Sequence, residues 1–229
     1  MYTTISNNGI IINRMEEDTM AISLKDKAYT IIKSRILSGF YEPNTMLNEV
    51  ALSDELGISR TPIREALNDL EHEMLVNVLP KKGTQVSEID FDVVRDIFQV
   101  RILIEPYILR KFGPYIDKQQ LILIKGIQQK AEVTGIEEQF ESDNDLHQLI
   151  ISSNPNRYLD ESIRKVYDQN QRLRLLTGQK STKRLIASAA EHLAVIDAIL
   201  VEDYDEAAQA MEVHLANSWR ATLDVLFQK

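Results

Sequence analysis

Residues 57–67, GISRTPIREAL, constrain the fold more than any other part of the chain. Gly57 closes a preceding helical pattern. Ser59 or Thr61 can cap a new helix, in which Pro62 is tolerated because first-turn amides have no helical partner. Apolar residues then recur three and four positions apart, which predicts one buried face; they are Ile63, Ala66, Leu67 and Leu70. Arg60 and Arg64 therefore share another face at the start of this helix.

The flanking segments complete a recognisable order of elements. Helical spacing runs from Leu24 to Gly39, FYEPNTML is typical of a turn, and residues 47–56 form a second short helix. After the third helix, LVNVL alternates like a strand, PKKG is typical of a turn, and TQV supplies a returning strand. This order predicts a winged helix-turn-helix over residues 21–88. Residues 1–20 have no sustained period and are expected to be a disordered arm.

The cations of this region suggest what it binds. The free amides and dipole of a helix N-terminus favour phosphate, and the arginine fork suits both phosphate and a guanine edge in the major groove. Lys81 and Lys82, beside Gly83 at the hairpin tip, can reach a neighbouring phosphate or the minor groove. Each charge taken singly is most simply a solvated surface charge. Together with Arg60, Arg64 and the order of elements, they predict an interface with double-stranded DNA.

The overall charge is compatible with DNA binding because the acidic residues lie mainly elsewhere. The formal net charge is −9, but residues 20–85 hold eight Lys/Arg and nine Asp/Glu, net −1. The chain has no cysteine, which excludes disulfides and sulfur-ligated metals. No apolar run approaches the roughly 18 residues of a membrane span, and the first 20 residues lack a signal-peptide pattern. A cytoplasmic protein with no membrane contact is expected.

The rest of the chain, residues 89–229, is almost wholly helical in pattern and predicts an antiparallel all-α bundle. Short breaks such as SSNPNR and VEDYD separate its segments. Six segments follow the helical period: FDVVRDIFQVRILIEPYILRKF, DKQQLILIKGIQQKAEV, QFESDNDLHQLIISS, LDESIRKVYDQNQRLRLLTG, KRLIASAAEHLAVIDAILV and YDEAAQAMEVHLANSWRATLDVLF. The predicted fold class is mainly α, with a small β-hairpin wing near the N-terminus.

Three of the four histidines, His147, His192 and His214, lie on apolar stripes of this bundle. Asp143 precedes His147 by four residues, so both side chains share a helix face. A single buried histidine is usually a core residue with a hydrogen bond. Three histidines and a carboxylate favour a shared divalent ion, because unpaired polar groups are costly to bury. Nitrogen and oxygen ligands suit Zn, Ni or Mn. His72 follows the third helix and is expected to be exposed.

The run LSDELGISRTPIREALNDLEHEMLVNVLPKKGTQV resembles the DNA-binding domain of the GntR family of bacterial transcriptional regulators. The resemblance covers roughly residues 24–86. It implies that Arg60, Thr61, Arg64 and the wing tip contact operator DNA. Two residues depart from the family pattern: Asn44 stands where the family usually has glycine after proline, and Met74 where it usually has glycine before leucine. Both positions bear on turn geometry rather than on DNA contact.

Residues 92–226 resemble the FadR C-terminal effector domain of one GntR subfamily. The motifs that carry the resemblance are VRILIE, DNDLHQLIISSNPN and AEHLAVIDAILVEDYDEAAQAMEVHL. In that domain an aspartate and three histidines bind a metal. The resemblance therefore implies that Asp143, His147, His192 and His214 are the ligands here.

Arg101 lies on the apolar stripe of its helix, where a buried charge needs a partner. Glu105, one turn on, can be that partner in an ordinary helix pair. Alternatively, Arg101, with Arg172 or Asn170, holds the carboxylate of a small acid beside the metal.

Three functions compete at this point. The first is a metabolite-responsive regulator, a repressor, that binds a palindromic operator as a homodimer. The second is a metalloenzyme tethered to DNA, for which Glu191 beside His192 is the candidate base. No HExxH motif supports it, so an enzyme is not expected. The third is an architectural DNA-binding protein with a structural metal.

Overall fold

The structure is a computed structural model that describes residues 23–131, 135–178 and 182–227. The arm predicted at residues 1–20 lies outside the described residues. Within them the chain is mainly α with one small antiparallel sheet, so the predicted fold class is confirmed. The helices are α1 Leu24–Leu37, α2 Glu49–Leu56, α3 Arg60–His72, α4 Phe91–Phe112, α5 Lys118–Gln128, α6 Ile136–Ser152, α7 Arg157–Gly178, α8 Thr182–Leu200 and α9 Tyr204–Phe227.

The winged-helix part, residues 24–86, combines α1 to α3 with three strands. The strands are β1 Met46–Leu47, β2 Val76–Leu79 and β3 Gly83–Val86, in the order β1-β3-β2. The apolar stripe of α3 lies in the core together with Ile32 and Ile36 of α1. The prediction that FYEPNTML is only a turn was wrong, since β1 pairs with β3 there. A strand of two residues is too short to show alternation.

The two departures from the family's glycines leave the backbone in a glycine-like conformation. Asn44 has φ 70° and Met74 has φ 61°, both in the left-handed region. Asparagine adopts this region readily, whereas methionine there costs on the order of 1 kcal/mol. Met74 N–H donates to the carbonyl of Glu71, so this turn closes α3 and leads into β2. The turn therefore keeps the geometry that a glycine would allow, and the cost is backbone strain at Met74.

The bundle, residues 91–227, contains the six helices that the helical period predicts, α4 to α9. The helix predicted at 91–112 coincides with α4. α9 packs along both α4 and α8, and the core between them includes Ile108, Ile196 and Met211. Among the described residues, none of the helices has the length and apolar character needed to cross a membrane.

Helix α7 connects the bundle to the winged-helix part. It packs against α1, where Lys33 Nζ lies 2.7 Å from Asp168 Oδ2. Three further side chains of α7 donate to backbone carbonyls of the winged-helix part and the segment after it: Lys165 to His72 (3.0 Å), Gln169 to Met74 (2.8 Å) and Arg172 to Ser87. These bonds connect α7 to the end of α3 and to the segment that follows β3. The division of the chain into domains at residue 88 stays a prediction.

Candidate metal and effector site and candidate DNA interface

His147, His192 and His214 come together from three different helices, α6, α8 and α9. Each is buried, and one ring nitrogen of each lies within 4.8 Å of those of the others. His192 Nε2 and His214 Nε2 are 3.2 Å apart. The three apolar stripes that carry these residues face one another across the core, so the imidazoles meet at one point.

Asp143 lies one turn before His147 on α6, with Oδ1 3.5 Å from His147 Nε2. Burial acts to raise the pKa of Asp143, but Arg174 and the three imidazoles outweigh burial and hold the pKa well below its usual range. Arg174 Nη1 is 3.2 Å from the same Oδ1 atom. Asp143 is therefore an ionised carboxylate at the edge of the histidine cluster.

Two further carboxylates fix the orientation of two imidazoles. Glu105 Oε2 lies 2.6 Å from His147 Nδ1, and Glu191 Oε2 lies 2.8 Å from His214 Nδ1. Because an ionised carboxylate only accepts hydrogen bonds, each Nδ1 carries a proton, and in a neutral imidazole Nε2 then keeps the lone pair that can bind a metal. Burial, followed by the charge of His214, lowers the pKa of His192 well below its ordinary value. Neutral imidazoles are the form that binds metal.

This donor set fits a divalent cation. Two imidazole Nε2 atoms 3.2 Å apart face each other, and His192 Nδ1 is buried with no hydrogen-bond partner among the described residues. A cation between the two Nε2 atoms would pair both of these nitrogens, and the Asp143 carboxylate lies beside the cluster, 3.5 Å from His147 Nε2. Nitrogen and carboxylate donors without sulfur suit Zn, Ni or Mn.

A cavity of about 260 Å³ lies beside the cluster, between α4, α6, α7, α8 and α9. Three arginines line it: Arg101, Arg174 and Arg184. Arg101 is buried; its Nε donates to Glu105 Oε1 (2.7 Å) and its Nη1 to Asn170 Oδ1 (2.9 Å). Arg101 therefore belongs both to the ion pair with Glu105 on α4 and to the histidine site, because its Nη2 is also 3.2 Å from His147 Nε2.

Arg172 was predicted to contact an effector, but it does not line this cavity, so the cavity gives that prediction no support. Arg172 donates to the carbonyl of Ser87 and to Gln169 Oε1 (2.6 Å), on the side of α7 that faces the winged-helix part. Arg174, four residues after Asn170, takes the position instead. The i, i+4 spacing of Asn170 and Arg174 was the signal in the sequence that could have identified it.

The candidate DNA interface is formed by α3 and the hairpin between β2 and β3. Arg60, Thr61 and Arg64 are exposed on the first turns of α3, and Ser59 at the N-cap makes no side-chain capping bond within the described chain. The first amides of α3 are therefore open to an anion. Arg64 Nη2 and Arg60 Nη2 lie 2.8 Å and 3.3 Å from Glu49 Oε2.

The hairpin tip presents the remaining predicted residues. Lys81, Lys82 and Gly83 are exposed, and Lys82 N–H donates to the carbonyl of Leu79 (3.0 Å), which closes the turn. Lys81 and Gly83 have φ 64° and 107°. His72, at the end of α3, is exposed as the sequence indicates.

Two family models match the chain. The model described as "Bacterial regulatory proteins, gntR family" matches residues 24–86, and the model described as "FCD domain" matches residues 96–217. The matched ranges contain the α3 arginines and all four candidate metal ligands, respectively.

Two curated relatives align with this chain over most of the length of both proteins. The HTH-type transcriptional regulator YdhC of Bacillus subtilis is 26% identical over 193 residues, covering 81% of this chain and 85% of that protein. The HTH-type transcriptional repressor RspR of Escherichia coli is 25% identical over 197 residues, covering 84% of this chain and 86% of that protein. These relatives are transcriptional regulators rather than enzymes.

Solved structures share the fold. A GntR transcriptional regulator from Rhodococcus sp. RHA1 has a TM-score of 0.76 at 18% identity, covering 87% of this chain and 97% of that one. That likeness establishes the fold alone. The Zn²⁺-bound FCD domain of TM0439 has a TM-score of 0.52 at 26% identity, covering 62% of this chain and 100% of that one.

Proposed function

Because the chain belongs to the GntR family of bacterial regulators and carries an FCD domain, we propose that it is a repressor whose DNA binding responds to a small organic acid. It binds a palindromic operator as a homodimer in the cytoplasm and holds the acid beside a divalent metal ion. One observation carries this proposal: three buried imidazoles converge beside an arginine-lined cavity, in a chain that also presents a winged helix.

DNA recognition rests on the start of α3 and on the hairpin tip. Arg60 and Arg64 hold Glu49 at the surface, so phosphate or a guanine edge can replace that carboxylate at little cost. Lys81 and Lys82 lie at the exposed tip of the wing and are proposed to contact the backbone. Thr61 completes the exposed first turn of α3.

Asp143, His147, His192 and His214 are the proposed ligands of the metal. When bound, the ion would supply a positive charge that a carboxylate oxygen of the acid can coordinate. The Zn²⁺-bound structure of the related FCD domain supports this proposal, while the choice among Zn, Ni and Mn is open to direct analysis. Carboxylates at Nδ1 orient the rings of His147 and His214, and one ring nitrogen of each of the three histidines already lies within 4.8 Å of those of the others.

The cavity is suited to a small carboxylic acid. Its volume of about 260 Å³ lies below that of typical drug-sized pockets, roughly 300–1,000 Å³. Arg101 brings a buried guanidinium group to its wall and Arg174 a half-buried one, and Asn170 positions Arg101. Guanidinium groups bind carboxylates in bidentate geometry, so the acid is proposed to be held by these arginines and by the metal.

Helix α7 is the proposed route from the cavity to the DNA. Asn170 and Arg174 line the cavity, while Asp168, Gln169 and Arg172 contact the winged-helix part and the segment after it. An acid that draws Arg174 toward the cavity would shift α7 and, with it, the end of α3. The repressor role is supported by the relative RspR, which is named a repressor.

The DNA part of the proposal is tested by selecting binding sites from random duplexes and footprinting them. We expect two inverted half-sites about one helical turn apart, because the two-fold axis of a dimer coincides with that of its operator. Sedimentation at micromolar concentration should show a dimer. A monomer that protects one isolated half-site would contradict the homodimer and the palindrome together.

The metal part is tested by elemental analysis of protein purified without chelator and by thermal-shift measurements with carboxylic acids. His192→Ala should lose the metal, melt at a lower temperature and no longer respond to the acid. His72→Ala, which changes an exposed histidine, is the matched control. If metal-free wild-type protein melted at the same temperature and answered the same acid, the three histidines would be core residues only.

A further inference from the structure

We propose that Glu191 is a positioning residue of the metal centre, and that Arg184 makes metal affinity depend on what occupies the cavity. Glu191 fixes the orientation and tautomer of His214, and Arg184 shares the Glu191 carboxylate while lining the cavity. The inference rests on the proposed function, because it takes His214 as a metal ligand.

Four donors converge on the Glu191 carboxylate. Arg184 donates from Nη1 to Oε1 (2.9 Å) and from Nη2 to Oε2 (2.7 Å), in bidentate geometry. Asn217 Nδ2 adds a bond to Oε1 (2.9 Å), and His214 Nδ1 adds one to Oε2 (2.8 Å). Each oxygen thus receives two hydrogen bonds. A carboxylate held in this way is poorly placed to act as a general base, which removes the support that Glu191 lent to the metalloenzyme alternative.

The consequence for His214 follows from the chemistry of the carboxylate. An ionised carboxylate accepts and does not donate, so the proton of the neutral imidazole lies on Nδ1. The unprotonated Nε2 then faces His192 Nε2, 3.2 Å away, where a cation would bind. Loss of Glu191 would let the proton move to Nε2 and would let the ring rotate. Partners of this kind typically change metal affinity by about 10–100-fold.

Arg184 connects this arrangement to the cavity. It lines the cavity and also donates to Ser218 Oγ (2.8 Å), next to His214 on the same helix. A carboxylate in the cavity would compete with Glu191 for Arg184. The Glu191 carboxylate would then be less neutralised and its hydrogen bond to His214 stronger, which makes Nε2 a better ligand. Acid and metal should therefore each strengthen the binding of the other.

A second arginine, glutamate and histidine are arranged in the same way. Arg101 Nε donates to Glu105 Oε1 (2.7 Å), and Glu105 Oε2 lies 2.6 Å from His147 Nδ1. Arg101 also lines the cavity. Two arginine–glutamate–histidine chains thus run from the cavity wall to two of the three histidines. The Glu191 chain is the one open to mutagenesis, because Glu191 is half-buried whereas Glu105 is fully buried.

The experiment measures Zn²⁺ affinity by competition with a chromophoric chelator, for full-length wild-type protein, Glu191→Ala and Glu191→Gln. We expect Glu191→Ala to bind Zn²⁺ about 10–100-fold more weakly. Glu191→Gln should lose less, because its amide oxygen still accepts from His214 Nδ1. Glu212→Gln is the matched control, since it removes the same charge from an exposed pair with Arg110; its affinity should equal that of wild type.

Two additional readouts separate positioning from a structural effect. ¹⁵N NMR of metal-free wild-type protein should show His214 as the Nδ1–H tautomer, and Glu191→Ala should lose that signature. Acetate, compared with chloride at equal ionic strength, should raise the Zn²⁺ affinity of wild type by a larger factor than that of Arg184→Gln, because only the route through Arg101 and direct binding to the metal remain in the variant. Wild-type affinity and an unchanged tautomer in Glu191→Ala would overturn the inference alone. Wild-type protein that bound Zn²⁺ no better than His192→Ala would overturn the proposed metal site itself.

Discussion

Arginine–glutamate pairs occur in both parts of this molecule with similar distances and opposite surroundings. At the start of α3, Arg64 Nη2 lies 2.8 Å from Glu49 Oε2, and the arginine side chain is 58% exposed. In the bundle, Arg101 Nε lies 2.7 Å from Glu105 Oε1, and that arginine is 4% exposed. Exposed pairs contribute about 0–1 kcal/mol, whereas a buried charge that loses its partner costs several kcal/mol. Distance alone therefore says little about what a pair does.

The difference matches what each part is proposed to do. The α3 arginines can exchange a carboxylate for a phosphate because water compensates the charges during the exchange. Arg101 and Glu105 are locked by further bonds to Asn170, Tyr167 and His147, so they serve as the fixed wall of a site. Arg172 is a third case: it is buried, yet its hydrogen bonds go to a carbonyl and an amide rather than to a carboxylate.

The largest expected effect comes from breaking the buried pair. Glu105→Ala in metal-free protein should lower the free energy of unfolding by about 3–5 kcal/mol, because Arg101 would keep a buried charge without its carboxylate. Urea denaturation followed by circular dichroism measures this value. Glu212→Ala, which breaks an exposed pair with Arg110, is the control. A loss below about 1 kcal/mol for Glu105→Ala would mean that the burial of the pair has no energetic consequence.

Arg64→Ala should weaken specific operator binding by about 1–3 kcal/mol while leaving folding intact. The reason is that an exposed guanidinium adds little to stability but supplies base or phosphate contacts. Fluorescence anisotropy with specific and random duplexes measures the effect. Arg95→Ala removes a partly exposed arginine of α4 that is paired with Asp92, and this variant should bind DNA like wild type. Equal affinity of Arg64→Ala and wild type would refute the assignment of α3 to the groove.

Arg172→Met should leave binding of the acid in the cavity unchanged but reduce the effect of the acid on operator affinity by on the order of 1 kcal/mol. Burial lowers the pKa of Arg172 to about 10, as expected for a cation without a carboxylate partner. The variant removes the contact to Ser87, one of the contacts through which α7 is proposed to transmit the effect of the acid. Calorimetry and anisotropy measure the two quantities. Loss of acid binding instead would place Arg172 in the effector site after all.

The stability of the protein should depend on pH through the ionisation of Glu191. Burial acts to raise the pKa of Glu191, but hydrogen bonds from His214, Arg184 and Asn217 lower it to about 2. Its stabilising effect, about 1 kcal/mol after allowance for solvent screening, is present above the unfolded pKa of about 4.3 and is lost as the pH falls toward 2. Denaturation of metal-free wild type and Glu191→Gln between pH 5 and 2 should show a shallower loss in the variant. Parallel curves would be inconsistent with this role.

The smallest effect is expected for Glu49→Gln, which should change the free energy of unfolding by about 0–1 kcal/mol. Hydrogen bonds from Arg64 lower the pKa of Glu49, yet the arginines that it contacts are exposed. Thermal and urea denaturation check this value beside Glu105→Ala. A loss as large as that of the buried pair would remove the contrast between the two parts of the molecule.

The sequence by itself determined the elements and the faces they bury. The stripe of Ile63, Ala66, Leu67 and Leu70 is buried in α3 as its spacing predicts, and the six bundle helices follow the helical period. Periodicity suffices for this because it is local: the turn of a helix fixes which side chains share a face. β1 escaped detection for the same reason, since two residues have no period.

Only the tertiary structure decided which polar side chains meet. Glu105 and Glu191 became partners of His147 and His214, and Arg174 rather than Arg172 faces the cavity. These contacts join residues up to several helices apart, so they depend on how the helices cross and not on spacing within one helix. Arg172 and Arg174 are two residues apart on α7, so they point to opposite sides of the helix, one to the winged-helix part and one to the cavity. The sequence alone did not show which of the two sides faces the cavity.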